Sequence, residues 1–214
     1  VTTPAPIALT ELQLDALCEL VNIGVSHAAT SLSEMVEEQV HLSVPRLNLL
    51  GRAEAIDLLA HRETAKLVAV HQVFDGDLIG RALLIFPESK SLELVRALTG
   101  GSLSLEDIIE LEQEALAETG NIVLNGCLAT IANLLDRNLK MSLPEVLHGD
   151  GSDFFNIAPP PNAGETVMFL YIDFALRRSD IRGYIAMLMD MPSMTALQTL
   201  LDDFIARSAI EGTI

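Results

Sequence analysis

The chain has 214 residues, half of them apolar and a fifth charged, which is ample material for a core and unlike a disordered composition. Its 13 basic and 30 acidic residues give a net charge of −17, which excludes the Lys/Arg density needed to grip a nucleic-acid backbone or an anionic membrane. Two cysteines cannot build a disulfide framework, and Val1 to Pro6 shows neither a basic nor an apolar leader segment, so a cytoplasmic protein with reduced thiols is expected.

The first periodic segment runs from about Thr10 to Glu38, with Thr10 as the predicted N-cap and Glu11 in the first turn. On a helical wheel Leu17, Val21, Val25, Ala28, Leu32, Met35 and Val36 form the core-facing stripe. The other side carries Asp15, Glu19, Asn22, Ser26, Thr30 and Ser33, polar but almost without long charged residues, and so unlike an ordinary solvated face. Val40 to Val44 alternates as a strand ending near Pro45, and a short helical or irregular piece follows over Gly51 to Ala60. Thr64 to Phe74 and Leu78 to Phe86 read as strands joined by Asp75-Gly76-Asp77, a hairpin signal. Ser91 to Leu98 suggests a short helix stopped by Gly100-Gly101.

The pattern then restarts. Leu105 to Asp136 is predicted as a second long helix opened by Ser104, with Leu139 to Val146 as a strand containing Pro144. Within that helix the uncharged stretch Thr119 to Leu135 is broken by Asn121, Asn125, Thr130 and Asn133, which makes it a poor membrane span. Phe154 to Gly164 reads as a stiff proline-rich loop, Thr166 to Leu176 and Ile181 to Met189 as a second hairpin, and Met194 to Ala206 as a closing helix.

A displacement of 99 positions carries Glu19 onto Glu118, Asn22 onto Asn121, Ile23 onto Ile122, Ser43 onto Ser142 and Pro45 onto Pro144. The chain is therefore read as one α/β domain of the α+β type over residues 1–214, built of two repeats of about 10–100 and 105–206. Because three strands alone make a marginal sheet, the repeats are expected to pool them into one antiparallel sheet of about six strands with pseudo-two-fold symmetry. The two long helices then lie side by side.

Each long helix carries Glu-x-x-Asn, and at that spacing the two side chains are neighbours roughly 5–6 Å apart at Cβ, so both can touch one small target. A single such pair is ordinary surface decoration. Here the pair recurs while its neighbours drift: Leu20 becomes Thr119, Val21 becomes Gly120 and Gly24 becomes Val123. Asp15-x3-Glu19-x2-Asn22-x22-Pro45, and the second series of Glu114, Glu118, Asn121 and Pro144 at the same spacings, resemble the signature of the CheC, CheX and FliY family of bacterial chemotaxis phosphatases. Glu19-Leu20-Val21-Asn22-Ile23-Gly24 and Ala28-Ala29-Thr30 add to it, and the duplication points to a two-site, CheC-like layout. Glu114 stands where the family usually has Asp or Ser, and Val21 and Ser26 where Gly is frequent.

The resemblance implies hydrolysis of the phospho-aspartate of a CheY-like response regulator. An acyl phosphate is already activated, so a water held in line with phosphorus is what the reaction lacks, and a carboxamide can orient one. That role falls to Asn22 and Asn121. Glu19 and Glu118 are implied to pair with a lysine of the regulator, Asp15 and Glu114 to extend the docking contact, and Mg²⁺ to arrive on the regulator, with no cofactor held by this chain. The alternative is a non-catalytic module of the flagellar-switch type, whose members generally lack the Glu/Asn pair, or a partner of a CheD-like receptor deamidase. His27, His41, His61, His71 and His148 show no metal-ligand spacing, and Cys18 and Cys127 read as small core residues, as do the methionines from Met187 to Met194.

Overall fold

The computed structural model describes residues 8–37, 39–98, 104–157, 166–176 and 179–211. Its elements are α1 (Glu11–Val36), β1 (Val40–Gly51), α2 (Arg52–Arg62), β2 (Leu67–Gly76), β3 (Gly80–Pro87), α3 (Glu88–Leu98), α4 (Leu105–Leu134), β4 (Leu139–Met141), β5 (Glu145–Gly149), α5 (Gly151–Phe155), β6 (Thr166–Leu176), β7 (Ser179–Met189) and α6 (Met191–Glu211). Both long helices start where the capping residues stand. Thr10 accepts from the Gln13 backbone while the Gln13 side chain returns to the Thr10 N–H, and Ser104 does the same with Asp107. At the far end of α1, Ser33 Oγ accepts from Val40 N at 2.9 Å and ties the helix exit to the start of β1.

The strands form one antiparallel sheet in the order β1-β6-β7-β3-β2-β4, with β5 continuing beside β2 beyond β4. The pseudo-dyad passes between β7 and β3, so each half contributes a hairpin inside and a first strand at the edge. The sheet has seven strands rather than six because the two edge strands differ. β1 runs through Pro45 by a bulge between Ser43 and Arg46, whereas its counterpart breaks into β4 and β5 at Ser142-Leu143-Pro144. Pro45 therefore does not end its strand, as expected from the sequence; a bulge absorbs the missing N–H at a sheet edge.

Both faces of the sheet are covered, which is why the inner strands read as near-continuous apolar runs. Ala82, Leu84 and Phe86 of β3 face the long helices together with Val68, Val70, Leu170 and Ile172. Leu83 and Ile85 point the other way, toward Ala55 and Leu59 of α2 and Phe154 and Phe155 of α5. Those two phenylalanines correct the expected loop: Asp150 caps a short helix that buries both, while residues 158–165, with the proline run, lie outside the described residues, as does Gly100-Gly101. The hairpin turns at Gly76, whose φ of 139° and 2.3 Å approach of a virtual Cβ to the Asn138 carbonyl admit only glycine.

The core stripe of α1 is buried from Leu17 through Leu32, but Met35 is 40% exposed near the helix end. The long helices meet through small residues, with Gly24 against the Cys127 backbone, Gly126 against Ala28, and His27 Nδ1 3.2 Å from Thr130 Oγ1. The segment Glu106–Leu134 is long and apolar enough to cross a membrane by length and composition alone, yet half of its most apolar window is buried within the chain.

Candidate active site

On α1, Asp15, Glu19, Asn22, Ser26 and Thr30 are all exposed along one face, and the residues between them, Leu17, Leu20, Val21 and Val25, are buried. Val21 thus points into the core and does not crowd this face, whereas Ser26 lies on it. Neither Glu19 nor Asn22 makes a side-chain hydrogen bond or ion pair among the described residues. The Asn22 carboxamide accordingly has both its donor and acceptor ends free.

On α4, Glu114 and Glu118 are exposed, but Asn121 is half-buried and engaged. Its Oδ1 accepts from Asn125 Nδ2 at 2.7 Å, one turn along the helix, and from Gln72 Nε2 of β2 at 3.2 Å. Gln72 Nε2 also donates to the Ser142 carbonyl at 2.8 Å, in the break between β4 and β5. Ser142 is held in turn by Val73, through N–H to Oγ at 2.9 Å and through its own N–H to the Val73 carbonyl at 2.8 Å. The contact exists because α4 lies close on β2: a Cβ at Gly120 would stand 2.4 Å from Val70 Cγ1. Its position in α1 is Val21, so only the second helix can approach this closely.

Gln72 was not legible as a site residue. It sits inside the apolar run from Leu67 to Phe74, where a buried polar residue reads as an isolated exception, and Asn125 was visible only as an interruption of an uncharged stretch. The pairing register supplies the missing signal. His71 faces Glu145 as Tyr171 faces Arg46, so Gln72 corresponds to Ile172, and Asn125 corresponds to Ser26.

The remaining chemistry-bearing residues lie elsewhere. Cys127 is buried and its thiol is pushed up to about 12 by desolvation, while Cys18 is only partly buried and is raised by desolvation and by Asp15. Among the described residues no group of three His, Cys, Asp or Glu side chains could hold a metal ion. His71 lies on β2 facing away from Gln72, 3.5 Å from Glu145.

The CheC-like family matches residues 12–49, the segment holding Asp15, Glu19, Asn22 and Pro45. A protein of Bacillus subtilis named CheY-P phosphatase CheC is 32% identical over 142 residues, covering 64% of this chain and 66% of that protein. The chain belongs to the CheC-like family. CheC1 of Halobacterium salinarum is 26% identical over 157 residues, 73% of this chain and 79% of that protein. In three dimensions Thermotoga maritima FliY matches with a TM-score of 0.69 at 19% identity, over 92% of this chain and the whole of that one. The FliM middle domain of Vibrio alginolyticus matches with a TM-score of 0.60 at 17% identity, over 86% and 99%. These two likenesses establish the fold, a curled antiparallel sheet with long helices on one face.

Proposed function

We propose that this CheC-like chain is a phosphatase that removes the phosphoryl group from the aspartate of a CheY-like response regulator. The observation that carries this reading is the presentation of an exposed glutamate one turn before a carboxamide on each of two helices that pack side by side. The Bacillus relative named for this activity supports the substrate class. The relatives of the flagellar-switch type share the fold, so the fold does not separate catalysis from scaffolding; the two Glu/Asn pairs favour catalysis.

In the proposed reaction a water oxygen bonds to phosphorus as the bond between phosphorus and the aspartyl oxygen breaks, leaving a carboxylate on the regulator and inorganic phosphate. Asn22 or Asn121 holds the water in line, which converts a poorly oriented encounter into a near-attack arrangement. Glu19 and Glu118 fix the docked geometry through a charge-assisted contact to a lysine of the regulator, and Asp15 and Glu114 widen the contact. Mg²⁺ belongs to the regulator in this scheme and screens the phosphoryl charge. A CheD-like deamidase as a second partner rests on the family resemblance and is tested by co-purification of the two proteins.

The decisive experiment follows the decay of phosphorylated CheY-like regulators with and without the protein. Accelerated release of phosphate, saturating in regulator, is expected. A regulator that binds yet decays at its intrinsic rate leaves the scaffold reading in its place.

A further inference from the structure

We propose that Gln72 is a positioning residue that pre-sets the carboxamide of Asn121, making the second site the faster of the two. The inference rests on the reading of Asn22 and Asn121 as water-orienting groups. Gln72 is fully buried on β2, beneath α4. Its orientation is determined, because the Ser142 carbonyl at 2.8 Å can only accept, so the end of Gln72 directed at Asn121 is the donor. Asn125 supplies a second donor to the same oxygen. With both lone pairs of Oδ1 used, the carboxamide of Asn121 is held in one orientation and its N–H groups form the free end.

The first site has nothing equivalent. Ile172 takes the place of Gln72 and Ser26 that of Asn125, and the Asn22 carboxamide has no hydrogen-bond partner among the described residues. Asn22 must be ordered when the regulator docks, whereas Asn121 is ordered beforehand, and preorganised groups contribute more at the transition state. A structural purpose for Gln72 is a poor account of it. Ile172 fills the matching position with hydrocarbon at 1% exposure, and Gln72 Oε1 is buried without a hydrogen-bond partner, a cost to folding that an aliphatic residue avoids.

The test uses the full chain and one phosphorylated CheY-like regulator that it dephosphorylates, with each site read in isolation. In the Asn22→Ala background only the second site works, and in the Asn121→Ala background only the first. The first of these is expected to retain the larger kcat. Adding Gln72→Leu to Asn22→Ala should lower kcat by about ten-fold with KM unchanged, and should leave the thermal midpoint equal or higher, which a structural role would not allow. Asn125→Ser, at the half-buried end of the clamp, reads the same oxygen and guards against misfolding of the first variant. The effects of Gln72→Leu and Asn121→Ala should also be non-additive, as expected of residues acting through one group. An unchanged or raised kcat in both Asn22→Ala/Gln72→Leu and Asn22→Ala/Asn125→Ser overturns the inference. Full activity in Asn22→Ala/Asn121→Ala would instead overturn the assignment of the carboxamides themselves, so the two failures are distinct.

Discussion

Around Asn22 the flanking positions are Ser26 and Ile172; around Asn121 they are Asn125 and Gln72, and among the described residues only the second carboxamide is held. The two halves nevertheless share their element order, their strand register and their Glu/Asn pair. Duplication preserves what the backbone needs in both copies, while side chains around each polar face are free to diverge. Gly120 shows how small the divergence need be: removing the side chain that Val21 keeps lets α4 settle onto Val70 and brings Asn121 within reach of the sheet.

The comparison can be broken at several points. The largest effect is expected from Asn22→Ala combined with Asn121→Ala, which should cost on the order of 10²-fold or more in turnover if water positioning is the main catalytic contribution. Binding should persist, since the carboxamides act at the transition state; saturation kinetics beside a direct binding measurement check this. Each single variant should leave one site working, and the difference between them measures the asymmetry of the halves.

Glu19→Ala combined with Glu118→Ala should weaken regulator binding by about ten-fold as well as slowing turnover, because a charge-assisted contact is lost at each site. Titration calorimetry against the regulator reads it. Both glutamates are exposed, so urea unfolding of the variant should be unchanged.

Gly120→Ala should destabilise the fold by about 1–3 kcal/mol, because the new methyl meets all three carbons of the Val70 isopropyl group within 2.8 Å and outweighs the gain in helix propensity. Denaturant unfolding measures the loss. In an Asn22→Ala background the same change should also slow turnover, since lifting α4 from β2 stretches the contact to Gln72.

The smallest effect concerns His71, whose counterpart in the other half is Tyr171. Burial at 7% exposure holds the His71 imidazole below its ordinary range, and Glu145 opposes this across 3.5 Å without cancelling it. The folded state therefore favours the neutral ring. Its contribution is complete above the unfolded pKa of about 6.5 and is lost as pH falls through the lower folded value. Unfolding midpoints should drop on acidification from about pH 7, and His71→Gln should flatten that slope.

Most of the architecture was legible because local signals agreed with the global pattern. Thr10 and Ser104 sit at the caps, Asp75-Gly76 at the turn, and the apolar runs at strands covered on both faces. Misreadings fell where tertiary context overrode a local rule. Pro45 looked like a strand end, and Phe154-Phe155 looked like loop because the run of five residues that forms α5 is too short to show periodicity. The motif residues were found from their repetition, and the resemblance supplied their roles. Gln72 escaped because it is not repeated, and what distinguishes the second site from the first is by its nature invisible to a search for what the two share.

The interruption of both outer strands has one more consequence. β1 and the β4/β5 pair are the two open margins of the sheet, and each carries a proline, Pro45 within the bulge and Pro144 at the break. A margin without those features would offer an unbroken row of backbone donors and acceptors to any extended chain it met. A proline cannot donate, and a bulge or gap throws the row out of phase, so neither margin can template the addition of another strand along its length. The two interruptions thus work against neighbouring molecules joining their sheets edge to edge.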